Sequence, residues 1–232
     1  MQKAPAMAIL PTLAAALLLA PIHQSDGARP LQAVPLDVHA FTVLGQDYDP
    51  ENPHRPEPTY YQTIDDPQQS FIRSVYQPPR PTVTLFQSVP DELHHGVRRM
   101  QWRWRAQVLP RRGNECASGL GDSAAAVYVT WKRGLRWYSL KFIWSSEAPI
   151  GATCNRMRNP FVASDSIVLR SGTVSAGWVE ETIDPEALFR QHFANGDPNG
   201  DVPELQGIGL MSDGDQTGSI SAADYAGFVL YK

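Results

Sequence analysis

The chain has 232 residues and a formal net charge of −4, enough for one large domain or two small ones. The acidic balance argues against a nucleic-acid partner, which calls for a basic surface. Twenty prolines and 17 glycines make turns frequent, and with the plentiful aromatics they favour an all-β fold over a helical one.

The chain opens MQKAPAMAILPTLAAALLLAPI, a lysine followed by an apolar run and then polar, Pro-bearing sequence. That is the pattern of a secretory signal peptide, expected over residues 1–24. The run is short for a spanning helix, so no membrane span is expected in the mature chain, although an uncleaved anchor stays open. No cysteine follows it for lipid attachment. The expected location is therefore periplasmic or extracellular. Residues 25–57 read as a Pro-rich leader with one edge strand at Ala40–Leu44, and residues 58–232 as the folded domain.

Short β-like runs then recur with turn residues between them. They are Tyr60–Ile64, Phe71–Val75, Thr82–Phe86, Arg99–Val108, Ala126–Trp131, Trp137–Trp144, Ser166–Arg170 and Trp178–Thr182. That spacing predicts an antiparallel β-sandwich or barrel. One short surface helix is expected at about 185–193. Asp184 can cap it, Pro185 suits its first position, Phe189 and Phe193 share a face, and Asn195-Gly196 ends it. Lys132-Arg133-Gly134 and Arg111-Arg112-Gly113 read as hairpin turns. Two apolar segments close the chain, Ile208–Met211 and Phe228–Tyr231, and the acidic stretch between them reads as a link joining neighbouring strands.

Cys116 and Cys154 are the cysteines of the chain. In an oxidising compartment they could form a disulfide, worth roughly 4 kcal/mol by loop-closure entropy. Two separate thiols are the alternative. Two cysteines alone do not make a zinc site.

The densest chemical cluster is Arg98-Arg99-Met100-Gln101-Trp102-Arg103-Trp104-Arg105. On a strand Trp102, Trp104, Ala106 and Val108 share one face, and Gln101, Arg103, Arg105 and Gln107 the other. Besides single-stranded nucleic acid stacked on the tryptophans, which the acidic net charge weakens, two readings stay open. One is a central strand with tryptophan in the core; the other sets the polar face in a groove, where Arg and Gln grip sugar hydroxyls or carboxylates. Trp144, which shares a face with Leu140 and Phe142, is likewise either core or sugar platform. The candidate ligand set is Trp102, Arg103, Arg105, Asp122 and Trp144. Glycoside hydrolysis would need a carboxylate pair, with Glu115, Asp122, Glu147, Glu180 and Glu181 as candidates. Glu180 and Glu181 fall on opposite faces of a strand. No G-x-S-x-G elbow, phosphate loop or dinucleotide fingerprint occurs.

The acidic link fits calcium-loop spacing. With Asp213 at position one, Asp215 falls at three, Thr217 at five, Gly218 at six and Asp224 at twelve. An EF-hand also needs flanking helices, and the neighbouring Pro203, Gly207 and Gly209 and the β-prone Gly227–Tyr231 argue against them. Three readings remain: an EF-hand, an ion such as calcium on a β-hairpin loop through Asp213, Asp215, Thr217 and Asp224, or a plain polar turn.

In order along the chain, TYYQTIDD (59–66), MQWRWRAQVLP (100–110), GDSAAAVYVTW (121–131), LKFIWSS (140–146), GIGLMSDGDQT (207–217) and ADYAGFVL (223–230) resemble the bacterial domain of unknown function family 3047. The likeness runs from about Val34 to Lys232. It implies a jelly-roll sandwich similar to galactose-binding and carbohydrate-binding modules, and no catalytic residue. Where that family often shows two acids after a glycine, this chain has Gly121-Asp122-Ser123. The expectation is an exported, non-catalytic β-sandwich that binds a carbohydrate or cell-envelope polymer, with calcium as the candidate cofactor. The alternatives are an envelope glycan hydrolase and a structural subunit.

Overall fold

The computed structural model of the protein describes residues 30–44 and 59–232. The expected signal segment 1–24, and residues 25–29 and 45–57 of the expected leader, lie outside the described residues. In chain order the strands are β1 (Ala33–Pro35), β2 (Thr42–Val43), β3 (Tyr61–Ile64), β4 (Phe71–Tyr76), β5 (Leu85–Ser88), β6 (Arg99–Val108) and β7 (Ala125–Arg133). They continue with β8 (Arg136–Ser145), β9 (Thr153–Arg158), β10 (Val162–Ser171) and β11 (Val179–Ile183). The helix α1 (Pro185–Phe193) follows, then β12 (Glu204–Met211) and β13 (Ser221–Tyr231).

Two sheets form. The first runs β11-β6-β13-β4-β3, with β1 on the far end of β13; the second runs β2-β5-β12-β7-β8-β10-β9. This is the expected all-β, jelly-roll-like sandwich with one surface helix. Alternation along β6 shows why it closes: Met100, Trp102, Trp104 and Ala106 are wholly buried, while the residues between them point away. Trp102 meets Phe142 of the facing sheet with ring centres 5.6 Å apart, and Trp104 meets Trp144 at 5.6 Å. Truncating any one of these rings would cost roughly 3–5 kcal/mol.

One pair departs from the antiparallel expectation. β10 runs parallel to β8, because the chain leaving β8 first forms β9 at the sheet edge and then turns back to fill the gap between them. The leader is also more integrated than expected. β2 is the expected edge strand, pairing with β5, and β1 pairs with β13, so the described part of the leader supplies two strands.

The helix forms as read. The Asp184 carboxylate accepts the Ala187 N–H at 2.9 Å, and Phe189 stacks on Phe193, Trp131 and Tyr138. It carries the chain from β11 in the first sheet to β12 in the second. Gly134, at φ +57°, makes the turn of the β7–β8 hairpin, where an L side chain would be strained. Arg111-Arg112-Gly113 is not a hairpin turn, because β6 and β7 belong to different sheets.

The acidic C-terminal stretch is also corrected. β12 and β13 are not neighbours; one lies inside the second sheet and the other inside the first. Ser212–Ile220 is therefore an arch between layers. Both flanks are strands, so the EF-hand reading is set aside, and Asp224 is a strand residue instead of a loop ligand.

Candidate functional site

The polar face of β6 lies on the outer surface of the first sheet. Register places Arg105 beside Asp224 of β13 and Asp224 beside Arg73 of β4, so the three side chains form one row across neighbouring strands. Asp224 is fully buried. Arg73 grips it with Nε at 2.9 Å and Nη2 at 3.0 Å, Arg105 with Nε at 2.8 Å and Nη2 at 2.7 Å, and Gln107 with Nε2 at 2.6 Å. The bond to Asp224 in turn raises the Arg73 pKa above its ordinary value.

Aromatic rings complete the wall. The Arg105 guanidinium sits 4.4 Å from the Trp178 ring centre, and Trp178 meets Phe71 edge-on at 5.6 Å. Together with Asp66, Gln68, Gln69 and Arg103 these residues line an open groove of about 510 Å³. Arg103 donates to Glu180 and to Gln69 Oε1, both at 3.2 Å. Asp66 accepts the Gln68 and Gln69 backbone N–H groups and so fixes the rim. Among the described residues, the Gln68 side-chain amide and the Trp178 indole N–H have no hydrogen-bond partner. The groove thus offers a ring edge, amide groups, guanidinium donors and a carboxylate acceptor, the mixture that sugar hydroxyls need.

The structure separates the expected ligand residues. Arg103 and Arg105 face this groove. Trp102 and Trp144 are core residues, with Trp144 Nε1 donating to Thr173 O at 3.0 Å. Trp102 faces inward because it shares the buried parity of β6, so neither ring is a sugar platform. Phe71, Gln68, Gln69 and Trp178 were not read as site residues. Their assembly depends on the β11-β6-β13-β4 order, a set of long-range pairings with no local sequence signal.

Asp122 lies at the end of the sandwich, under the arch. Its two oxygens accept the Gln216 N–H at 3.2 Å and the Thr217 N–H at 2.6 Å. Carboxylate oxygens of Asp122, Asp213 and Asp215 lie within 4.8 Å of one another. Two members of the expected ion set are therefore together and gain Asp122. Thr217 turns its hydroxyl to Ser219, and Asp224 is held in the first sheet. Burial pushes the Asp213 carboxyl up to about 7, with Lys141 and the Ser123 N–H pulling the other way.

Beside this cluster Glu115 accepts Lys141 Nζ at 2.6 Å, and Asn155 donates to its carbonyl at 2.6 Å. Burial opposes charge on Lys141, but Tyr128, Glu115 and Asp213 outweigh it and hold the ammonium pKa above its ordinary value. The Cys116–Cys154 disulfide joins the residues adjoining Glu115 and Asn155. Among the described residues the other expected acids are also occupied, Glu147 excepted. Glu180 pairs with Arg103, and Glu181 accepts from Arg170 and from Trp104 Nε1.

Fold and groove define a two-sheet, jelly-roll-like β-sandwich with a polar-aromatic trench on one outer face. The chain belongs to a family described as protein of unknown function (DUF3047), whose profile matches residues 51–229. No curated protein matches its sequence. Among solved structures it is similar to the xyloglucanase domain of NopAA from Sinorhizobium fredii, in complex with cellobiose, at 11% identity and TM-score 0.41, covering 76% of this chain and 90% of that one. It is similar to a family 11 carbohydrate-binding module from Clostridium thermocellum, in complex with a mixed-linked tetrasaccharide, at 9% identity and TM-score 0.35, covering 88% and 90%. A third is Trichoderma harzianum endoglucanase 3 from family GH12, at 8% identity and TM-score 0.41, covering 87% and 97%.

Proposed function

We propose that the protein is an exported, non-catalytic carbohydrate-binding sandwich that holds a hydroxyl-rich envelope or extracellular polymer in the groove at Trp178. The observation that carries this is the groove itself: about 510 Å³, walled by Trp178 and Phe71 and edged by Gln68, Gln69, Arg103 and Asp66. The Arg73–Asp224–Arg105 row beneath pre-organises the wall, so little side-chain freedom is lost on binding. Binding without turnover is supported by the occupation of Glu115, Asp122, Glu180 and Glu181 with protein donors. Export is supported by the N-terminal sequence pattern and by the disulfide. Among the described residues no helix is long and apolar enough to cross a membrane.

The test is a polysaccharide pull-down over acidic and neutral envelope polymers. Wild type is expected to be retained by at least one, and Trp178→Ala and Arg103→Ala to lose roughly tenfold in affinity each with unchanged melting. Retention of both variants at wild-type strength would remove the groove from the function.

A calcium role is a second reading, favoured by the Asp122–Asp213–Asp215 triplet. Three hard oxygen donors in one cluster suit calcium, with arch carbonyls or water completing the shell. Bound calcium would tie the arch to the Gly121–Ser123 segment. Calorimetry decides: calcium should raise the melting temperature of wild type and not of Asp213→Ala. Equal calcium responses in the two would dismiss the ion.

A further inference from the structure

The outer face of the second sheet carries a groove of different chemistry, which the reading above does not use. Its volume is about 360 Å³. Strand register sets its walls. Phe86 of β5 and Tyr128 of β7 flank Gly209 of β12, and two pairs along the ladder Gly207, Thr130 and Ser139 form the next row on the same face. Gly207 is required here, because a Cβ would stand 2.4 Å from the Phe86 ring and from the Gln87 carbonyl. Without it Phe86 lies down over β12 and becomes part of a low aromatic floor. Trp137 of β8 closes one end, 40% exposed, with the Lys132 ammonium 4.9 Å from its ring centre.

Two further facts select an occupant. None of the residues lining this groove is ionised, whereas the first groove holds two arginines and an aspartate. The nearest charge is the Lys132 ammonium over the Trp137 ring at one end, so an anionic polymer would meet a single counter-charge there and none along the rest of the walls. Thr84 and Ser139 are among the lining residues, and among the described residues neither hydroxyl makes a hydrogen bond within the protein. An acyl chain would cover those hydroxyls and leave them unpaired. An uncharged sugar ring matches both features, its C–H face on the aromatic rings and its hydroxyls on Thr84 and Ser139.

We propose that the outer face of the second sheet is a second, chemically distinct site that takes an uncharged saccharide, on the side of the sandwich opposite the Trp178 groove. The inference extends the carbohydrate reading but stands on separate residues, so the two fail separately.

The test is affinity gel electrophoresis of the full mature chain in gels containing hydroxyethyl cellulose, dextran, galactomannan or xylan, with polygalacturonate and alginate as acidic comparators. At least one uncharged polymer is expected to retard wild type. Trp137→Ala should weaken that retardation roughly tenfold, and Ser139→Ala several-fold. Trp178→Ala should leave the Trp137-dependent part of that retardation unchanged. Trp137 and Ser139 are not core residues, so circular dichroism should report wild-type folding in both variants. The proposal is overturned if no uncharged polymer retards the protein, or if Trp137→Ala runs as wild type. It is equally overturned if Trp178→Ala abolishes the effect, since one groove then does everything. Sedimentation showing a dimer that Trp137→Ala dissociates would assign the face to a second copy, and competition by oleate micelles alone would assign it to a lipid.

Discussion

The Asp224 carboxylate is shielded from water and surrounded by donors from Arg73, Arg105 and Gln107. Removing its charge strands two guanidinium groups over a buried position. Asp224→Asn is expected to lower stability by roughly 3 kcal/mol in urea unfolding, and a change within experimental error would mean the row is ornamental. Asp213 behaves in the opposite sense. Its carboxyl is raised from 3.8 to about 7, mainly by burial, so between those values the folded protein keeps a proton that the unfolded chain has released. The stability from this group is complete below pH ~4 and is lost as pH rises through about 7. Wild type is therefore expected to melt lower at pH 8 than at pH 5 in the absence of calcium, and Asp213→Asn to reduce that drop. An equally steep drop in the variant would show that other groups set the pH response.

At the scale of elements, local signals and long-range pairings part company. The helix α1 was legible because its cap, its proline and its two phenylalanines all lie within ten residues of one another. Asp184→Ala should lower stability by about 1 kcal/mol, measured by thermal unfolding. β6 was legible for a similar reason, since its residues alternate between core and surface from Arg99 to Gln107, and only the exposed Val108 at its end breaks the pattern. β9 was not, because TCNRMR sits at a sheet edge and is mostly exposed, leaving no apolar parity to read. The arch at Ser212–Ile220 was misread as a link between neighbouring strands. Both flanks are plainly β-prone, but which sheet each joins is decided by partners over a hundred residues away in sequence, such as Arg103 against Ala226. The Cys116–Cys154 bond clamps a shorter-range contact, between residues 38 apart in sequence, and reduction or Cys154→Ser should cost about 4 kcal/mol in denaturant unfolding.

At the scale of the molecule, the core is made by the inward parity of both sheets and the grooves by the outward parity. The same alternation that buries Trp102 and Trp104 turns Arg103 and Arg105 outward, so the strand that holds the layers together also builds one wall of a surface groove. The groove residues were legible only where this parity could be read within one strand. Trp178 and Phe71 stayed hidden because their meeting depends on four strands lying side by side. Carbene footprinting of the wild-type protein with and without a retained polysaccharide tests the resulting picture directly. Protection is expected at Gln68–Phe71, Arg103 and Trp178 on the first sheet. Labelling of these residues that is indifferent to bound polymer would place the ligand elsewhere and end the case for the groove.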